Sequence, residues 1–490
     1  MATPGPTVQF PKENQSKASK SEYDLIVIGS GPAGVQAAVQ AAKLKKSVCI
    51  IEKMPEKIGG AWIQTGTLPS KTIRESLEAI HNIRHHAGPQ WVERVISDLS
   101  TTKLYKRALK VSTEEEHLVR RYLNKNNIEV VGGFASFETE KSLRITPSKG
   151  ASYILNASHF VIATGSRPRR PDNIPFDGWR VVDSDEILNL ECVPKHMIIY
   201  GAGVIGCEYA CIFSALGVET ILADSRDRLM QQIDFEVVKE LEKSMTDMGV
   251  KFKLGQEIKS ITPKGPRVQV QMTVDTIDTD VLFFAAGRIS NSENLGLEKL
   301  KIAVNDRGVI QVNDAFQTNL PHIYAAGDVV GPPALAATST QQGRFCALHA
   351  FAEMKNDFPK YYPVGVYTIP ELSSVGPSEE QLKEQGVDFV VGRAGYGELA
   401  RGYIRGDNHG LLKLLIERKT HKILGIHIVG DGAANLVHIG LAFMLKDGIA
   451  NDLINMIFNY PTLAEAYRIA AFNALNKIYK DGKIVTPKST

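Results

Sequence analysis

Two glycine-rich segments carry residues whose types and spacing suit phosphate chemistry. Gly29-Ser-Gly31-Pro-Ala-Gly34 follows the apolar run Asp24-Leu-Ile-Val-Ile and precedes the helix-like stretch VQAAVQAAKLKK; the next apolar run, SVCIIE, ends in Glu52, eighteen residues past Gly34. Gly201-Ala-Gly203-Val-Ile-Gly206 repeats the pattern, with HMIIY before it, CEYACIFSALG after it, and VETILA leading to Asp224, again eighteen residues past the third glycine. In such a βαβ unit the glycines allow a tight turn, close approach of a pyrophosphate and close packing of the helix. The helix N-terminus faces the anion, and the carboxylate accepts from a ribose. One copy alone is weak; two with matching offsets imply two dinucleotides.

Three further strands end in small residues: Phe160-Val-Ile-Ala-Thr164-Gly165, Leu282-Phe-Phe-Ala-Ala286-Gly287 and Ile323-Tyr-Ala-Ala-Gly327-Asp328. Such endings let the backbone approach a cofactor, the alternative for the first two being a plain exit into a turn. Asp328 sits where a carboxylate can bind a ribityl hydroxyl, and the helical stretch from Ala334 can aim its dipole at a flavin ring. After Asp224 come Ser225, Arg226 and Arg228. A carboxylate there suits the 2′-hydroxyl of NAD, and the arginines suit the 2′-phosphate of NADP. Together they fit an enzyme that takes both in turn; as loop charges, the arginines would leave an NAD-only site.

The chain that must position these residues has 490 residues, with 57 Lys+Arg against 54 Asp+Glu, a net charge of +3. This balance argues against a nucleic-acid partner. With 43% apolar and 23% charged residues the composition is globular, of about three domains, and no apolar run is long enough to span a membrane. Residues 1–21 are polar and read as a disordered tail. Cys49, Cys192, Cys207, Cys211 and Cys346 form no cluster, which excludes a disulfide framework and points to a reducing, cytoplasmic location. Cys207 and Cys211 read as core packing. His81, His85 and His86 have helical spacing without carboxylate or cysteine partners, so no metal is expected.

These motifs, with Pro69-Ser70-Lys71, Glu208 and Pro461-Thr-Leu-Ala-Glu465, resemble in order the flavoprotein pyridine nucleotide-disulfide oxidoreductases over residues 22–485. The resemblance implies an α/β fold with two Rossmann-like domains and a C-terminal α+β dimerisation domain. The expected layout is FAD-binding at 22–165, NAD(P)-binding at 166–286, a return to the FAD or central domain at 287–360, and an interface domain at 361–490. FAD would be held by Gly29, Gly31, Pro32, Ala33, Gly34, Glu52 and Lys53, by Gly59, Gly60, Ala61, Thr67 and Lys71, by Ala135, Thr164 and Gly165, and by Gly327, Asp328 and Ala336. NAD(P) would be held by Gly201, Gly203, Val204, Ile205, Gly206 and Glu208, by Asp224, Ser225 and Arg226, and by Ala286 and Gly287. Lys71 and Glu208 would form an ion pair near flavin N5, the alternative being two unrelated surface charges. A homodimer follows from the same likeness.

Two departures bear on activity. Disulfide reductases of this type carry Cys-x4-Cys after the Gly-Gly; here Trp62 and Thr67 stand at those positions, and neither forms a thiolate. Where those enzymes place a His before Pro461, this chain has Tyr460, a poor acid–base group at neutral pH. The losses are concordant, and the phrases TGTLPSK and NYPTLAEAYR look like the soluble pyridine nucleotide transhydrogenases, although those usually keep the first cysteine. That likeness implies ping-pong hydride transfer between NADPH and NAD by way of the flavin. The competing readings are an NAD(P)H diaphorase or quinone reductase and a non-catalytic FAD-containing binding protein. Trp62 either shields the flavin or fills space.

Overall fold

The run Leu-Ile-Val-Ile has no polar face, so it must be covered on both sides, as a parallel central strand is. In the computed structural model, which describes residues 18–87, 101–190, 192–352, 358–406 and 409–479, strand Glu22–Ile28 lies between the parallel strands Val48–Glu52 and Tyr153–Ile162. The chain divides into two compact units, Met1–Thr67 with Ser112–Arg167 and Arg288–Phe358, and Leu68–Val111 with Pro168–Gly287 and Pro359–Thr490.

In the first unit the sheet runs Glu129–Gly132, Val48–Glu52, Glu22–Ile28, Tyr153–Ile162, Ser142–Thr146, Phe134–Thr139, and Ile323–Ala325 adds parallel to Tyr153–Ile162. Helix Pro32–Lys43 buries Ala33, Gly34, Ala37, Ala38 and Ala41. These small residues admit helix Ala336–Phe351, whose Gly343 sits so close that a Cβ there would collide with the Ala33 carbonyl.

The second unit holds a parallel sheet in the order Lys251–Leu254, Glu219–Asp224, His196–Tyr200, Val281–Phe284, Val181–Val182. It also holds an antiparallel sheet, Val364–Val366, Leu372–Val375, Ile423–Val429, Leu411–Glu417, Phe389–Gly395, with helices Ala433–Met444 and Glu465–Ile478 against it. Lys413, in the middle of an otherwise apolar strand, is 1% exposed. Its ammonium contacts Asp234 at 2.9 Å, Glu236 at 3.0 Å and Glu379 at 2.6 Å. Asp234 also caps helix Phe235–Asp247, accepting from the amide of Glu236, and accepts from the amide of Glu379. One lysine therefore joins the nucleotide sheet's helix to the C-terminal sheet.

Burial opposes ionisation of Asp234, Glu236 and Glu379, yet His427 and Lys413 beside Asp234, Arg393 and Lys413 beside Glu236, and Lys383 and Lys413 beside Glu379 hold all three below their usual range. Their contribution to stability is therefore complete above about pH 4 and is lost as pH falls through the depressed folded values. Lys413→Met leaves three carboxylates without their central cation, at a cost of about 3–5 kcal/mol. We expect the thermal midpoint to fall and acid unfolding, followed by circular dichroism, to begin at higher pH than in the parent.

Candidate functional site

The six glycines of the two fingerprints answer to different demands. Gly29 and Gly201 have φ of +103° and +124°, and a Cβ on Gly201 would lie 2.6 Å from the Ala285 carbonyl, so turn and chain crossing require glycine. At Gly34 and Gly206 a Cβ would strike the carbonyls of Gly29 and Gly201. Gly31 and Gly203 differ: their φ of −67° and −82° suits any residue. A Cβ on Gly31 would meet only the Gly59 oxygen, at 4.0 Å, and one on Gly203 nothing within 4 Å. The protein does not need glycine there, but a phosphate lying against the backbone does. Neither helix, Pro32–Lys43 or Val204–Ala215, has a side-chain N-cap, so their first amides are open to an anion. The cradles thus fit two dinucleotides.

In the first unit Gly59, Gly60, Thr164 and Gly327 lie close to the first fingerprint. Gly60, at φ +74°, places its Cβ direction 3.1 Å from the Gly31 Cα, and Gly327 packs on Ala33. Gly29 crosses Ala163 and Thr164, and the Thr164 hydroxyl donates to the Asn291 carbonyl at 2.6 Å. Asp328 accepts from Ser166 at 2.7 Å. Gly165 has φ +70° with open space beside it, Ala336 opens its helix and Ala135 is buried. Lys53 and Ala61 are exposed, while Thr67 starts helix Thr67–Ala87. Sequence reasoning missed Ser30. It is wholly buried, donates from amide and hydroxyl to Glu52 at 2.9 and 2.7 Å, and accepts from the amide of Gly59 at 3.1 Å. Its only signal was its place between two glycines.

Asp224 mirrors Glu52, accepting from the amide after the first glycine, Ala202, at 2.6 Å. The Arg226 guanidinium lies across it, Nε on Oδ1 at 2.9 Å and Nη2 on Oδ2 at 2.6 Å. Burial opposes the Asp224 charge, but Arg226 and the backbone amides hold the carboxyl below its usual range. Ser225 and Arg226 are exposed at the strand end. Arg228 faces a loop: its Nη2 donates to the carbonyls of Gln231 and Ile233. Ala286 borders Gly201, and Gly287 is exposed beyond it. Val204 and Ile205 form the first turn of their helix.

Lys71 and Glu208, 137 residues apart, form an ion pair at 2.5 Å with side chains 22% and 5% exposed. The other Glu208 oxygen accepts from the amide of Tyr367 at 2.9 Å, so both carboxylate oxygens are engaged. Trp62 lies in the short helix Ala61–Gln64. All five cysteines are free, and all but Cys192 are buried. Burial pushes the Cys211 thiol up to about 12 and raises those of Cys49, Cys207 and Cys346, so they serve as packing. The side chains of His81, His85 and His86 lie outside the described residues. On the C-terminal domain Met456, Ile457, Tyr460 and Phe472 are exposed, Ile457 by 93%. No helix among the described residues is long and apolar enough to cross a membrane.

Residues 23–343 match the family described as pyridine nucleotide-disulphide oxidoreductase, and residues 362–471 match its dimerisation domain. The chain is 40% identical over 461 residues to a soluble pyridine nucleotide transhydrogenase of Mycobacterium bovis, covering 93% of this chain and 98% of that one. It is 39% identical over 464 residues to that of Pseudomonas putida, covering 93% and 99%. Among solved structures it resembles LpdA of Mycobacterium tuberculosis, with a TM-score of 0.85 and 26% identity over 91% of this chain and 99% of that one. It also resembles the HOCl-induced flavoprotein disulfide reductase RclA of Escherichia coli, with a TM-score of 0.83 and 26% identity over 92% and 99%.

The glycine contrast has a direct consequence. Gly203→Val fills space that the protein itself leaves open, so we expect thermal stability to hold within about 1 kcal/mol while NADPH affinity by calorimetry falls at least about tenfold. Gly206→Val, which strikes the Gly201 carbonyl, should instead lower stability.

Proposed function

The chain belongs to the pyridine nucleotide-disulphide oxidoreductase family, and from that premise we propose that it is an FAD-dependent transhydrogenase moving hydride between NADPH and NAD without a redox disulfide. The observation that carries this reading is the pairing of two intact dinucleotide cradles with Trp62 and Thr67 where the family's disulfide chemistry would need cysteines. Relatives at 39–40% identity bear the transhydrogenase name.

Bound FAD supplies a two-electron carrier that accepts and returns hydride. The chain's own residues bind and orient. In the first unit the bare amides after Gly31 receive the pyrophosphate and Glu52, held by Ser30, receives the ribose. In the second, Gly203 and its helix receive the nicotinamide dinucleotide. There Arg226 cancels the charge of Asp224, which removes the repulsion that would reject a 2′-phosphate, and Arg226 is 41% exposed on its side chain and able to reach that phosphate. With NAD, Arg226, which now occupies both oxygens of Asp224, would turn aside and free the carboxylate to accept from the ribose. Lys71, fixed by Glu208, would hold a positive charge for the bound flavin.

The exposed Met456, Ile457, Tyr460 and Phe472 fall in or beside the dimerisation domain, and we assign this apolar surface to a homodimer, since surfaces of this kind are seldom left to water. A cytoplasmic location suits the free thiols.

Mixing the holoenzyme anaerobically with NADPH and thio-NAD should give thio-NADH at turnover rates. Flavin reduction without transfer, relieved by a quinone, would make the protein a diaphorase instead, and no flavin reduction would make it a binding protein. In Arg226→Ala we expect kcat/KM for NADPH to fall about tenfold or more, the equivalent of ~1.4 kcal/mol, with NADH little changed; equal losses for both would remove Arg226 from nucleotide choice.

A further inference from the structure

Lys71 and Glu208 are carried by two different helices, and the same two helices grip a third segment. One turn after Lys71, Arg74 is 1% exposed and donates from Nε and Nη2 to the Thr368 carbonyl at 3.2 and 3.1 Å. Its remaining donors are held by Glu75 at 2.7 Å and Glu78 at 2.6 Å. One turn after Glu208, the Cys211 thiol points at the Ile369 carbonyl at 3.9 Å. Between these anchors Tyr367 touches both members of the ion pair. Its amide donates to Glu208 at 2.9 Å, and the Lys71 ammonium stands 5.2 Å from the centre of its ring.

We propose that Tyr367 is a positioning residue for the Lys71–Glu208 pair, held in place by Arg74; the proposal rests on the transhydrogenase reading and deepens it. A carboxylate bound only by a flexible lysine can rotate about its side chain. The Tyr367 amide fixes the second oxygen, so the first is aimed at one point. The ring covers a face of the ammonium that would otherwise be hydrated, and the attraction of a cation to an aromatic face favours that single position. Arg74 supplies rigidity, because its planar fork binds one carbonyl by two donors and is itself buried and neutralised. The Tyr367 hydroxyl makes no hydrogen bond among the described residues, so the ring and the amide carry the effect.

The test uses holoenzyme of the parent and of Tyr367→Leu, Tyr367→Phe and Arg74→Lys, with two readouts. The first is the rate of flavin reduction by NADPH in stopped flow. The second is the rate at which Lys71 is acetylated by a limiting acylating reagent, read by peptide mass spectrometry against the exposed Lys251 and Lys383. We expect Tyr367→Leu to bind FAD and melt like the parent, to reduce its flavin about tenfold more slowly, and to expose Lys71 to acetylation severalfold faster. Tyr367→Phe should restore both. Should Tyr367→Leu not fold, Arg74→Lys decides, with slower reduction and faster labelling of Lys71 expected. Parent-like values in both readouts, or a Phe variant as impaired as the Leu variant, would overturn the proposal. Failure of the parent to reduce its flavin would instead overturn the transhydrogenase reading, and the labelling would still report on Tyr367.

Discussion

The ion pair between Lys71 and Glu208 joins segments that the chain separates by 137 residues, and much of the second unit is arranged to permit it. Glu208 sits on the helix that begins at Gly203, so its height above the sheet is set by the close approach of Gly206 to the Gly201 carbonyl. A side chain at Gly206 would lift the helix and with it the carboxylate. The nucleotide cradle and the charge pair are thus two consequences of one packing constraint, because the helix end that faces a phosphate is fixed by the same contact that fixes the residue five positions on.

The buried charges follow a common rule. Burying an ion is costly unless nearly every donor or acceptor finds a partner. Lys413 meets three carboxylates, Arg74 meets carboxylates and a carbonyl, and Glu208 divides its two oxygens between Lys71 and a peptide amide. The thiols show the opposite economy. Desolvated by burial, which outweighs the nearby arginines, the buried thiols are pushed towards the neutral form, the state least able to attack a disulfide or bind a metal. Electron transfer by thiol exchange has neither the cysteines at the required positions nor activation of the buried ones.

The sequence was most legible where function demands a local pattern. The glycines, the strands before them and the acids eighteen residues on are contiguous in the chain, and they fold as the pattern requires. The pairing of Lys71 with Glu208 was legible only through the family likeness, because nothing local to either residue names the other. Side-chain direction was not legible at all. Arg226 and Arg228 look alike two positions apart, yet one lies on Asp224 and the other is spent on loop carbonyls. Lys413 is a lone lysine in an apolar run, and its burial depends on acids far off in the chain. Tyr367 and Arg74 gave no signal either, since one acts through a backbone amide and the other through a carbonyl.

In the proposed reaction hydride passes between two nicotinamides with no thiol in the path. Its most direct test is the anaerobic rate of transfer from NADPH to an NAD analogue before and after complete alkylation of the accessible thiols, of which Cys192 is the exposed one among the described residues. An unchanged rate is the predicted result. Loss of transfer in step with alkylation, with FAD still bound, would contradict it.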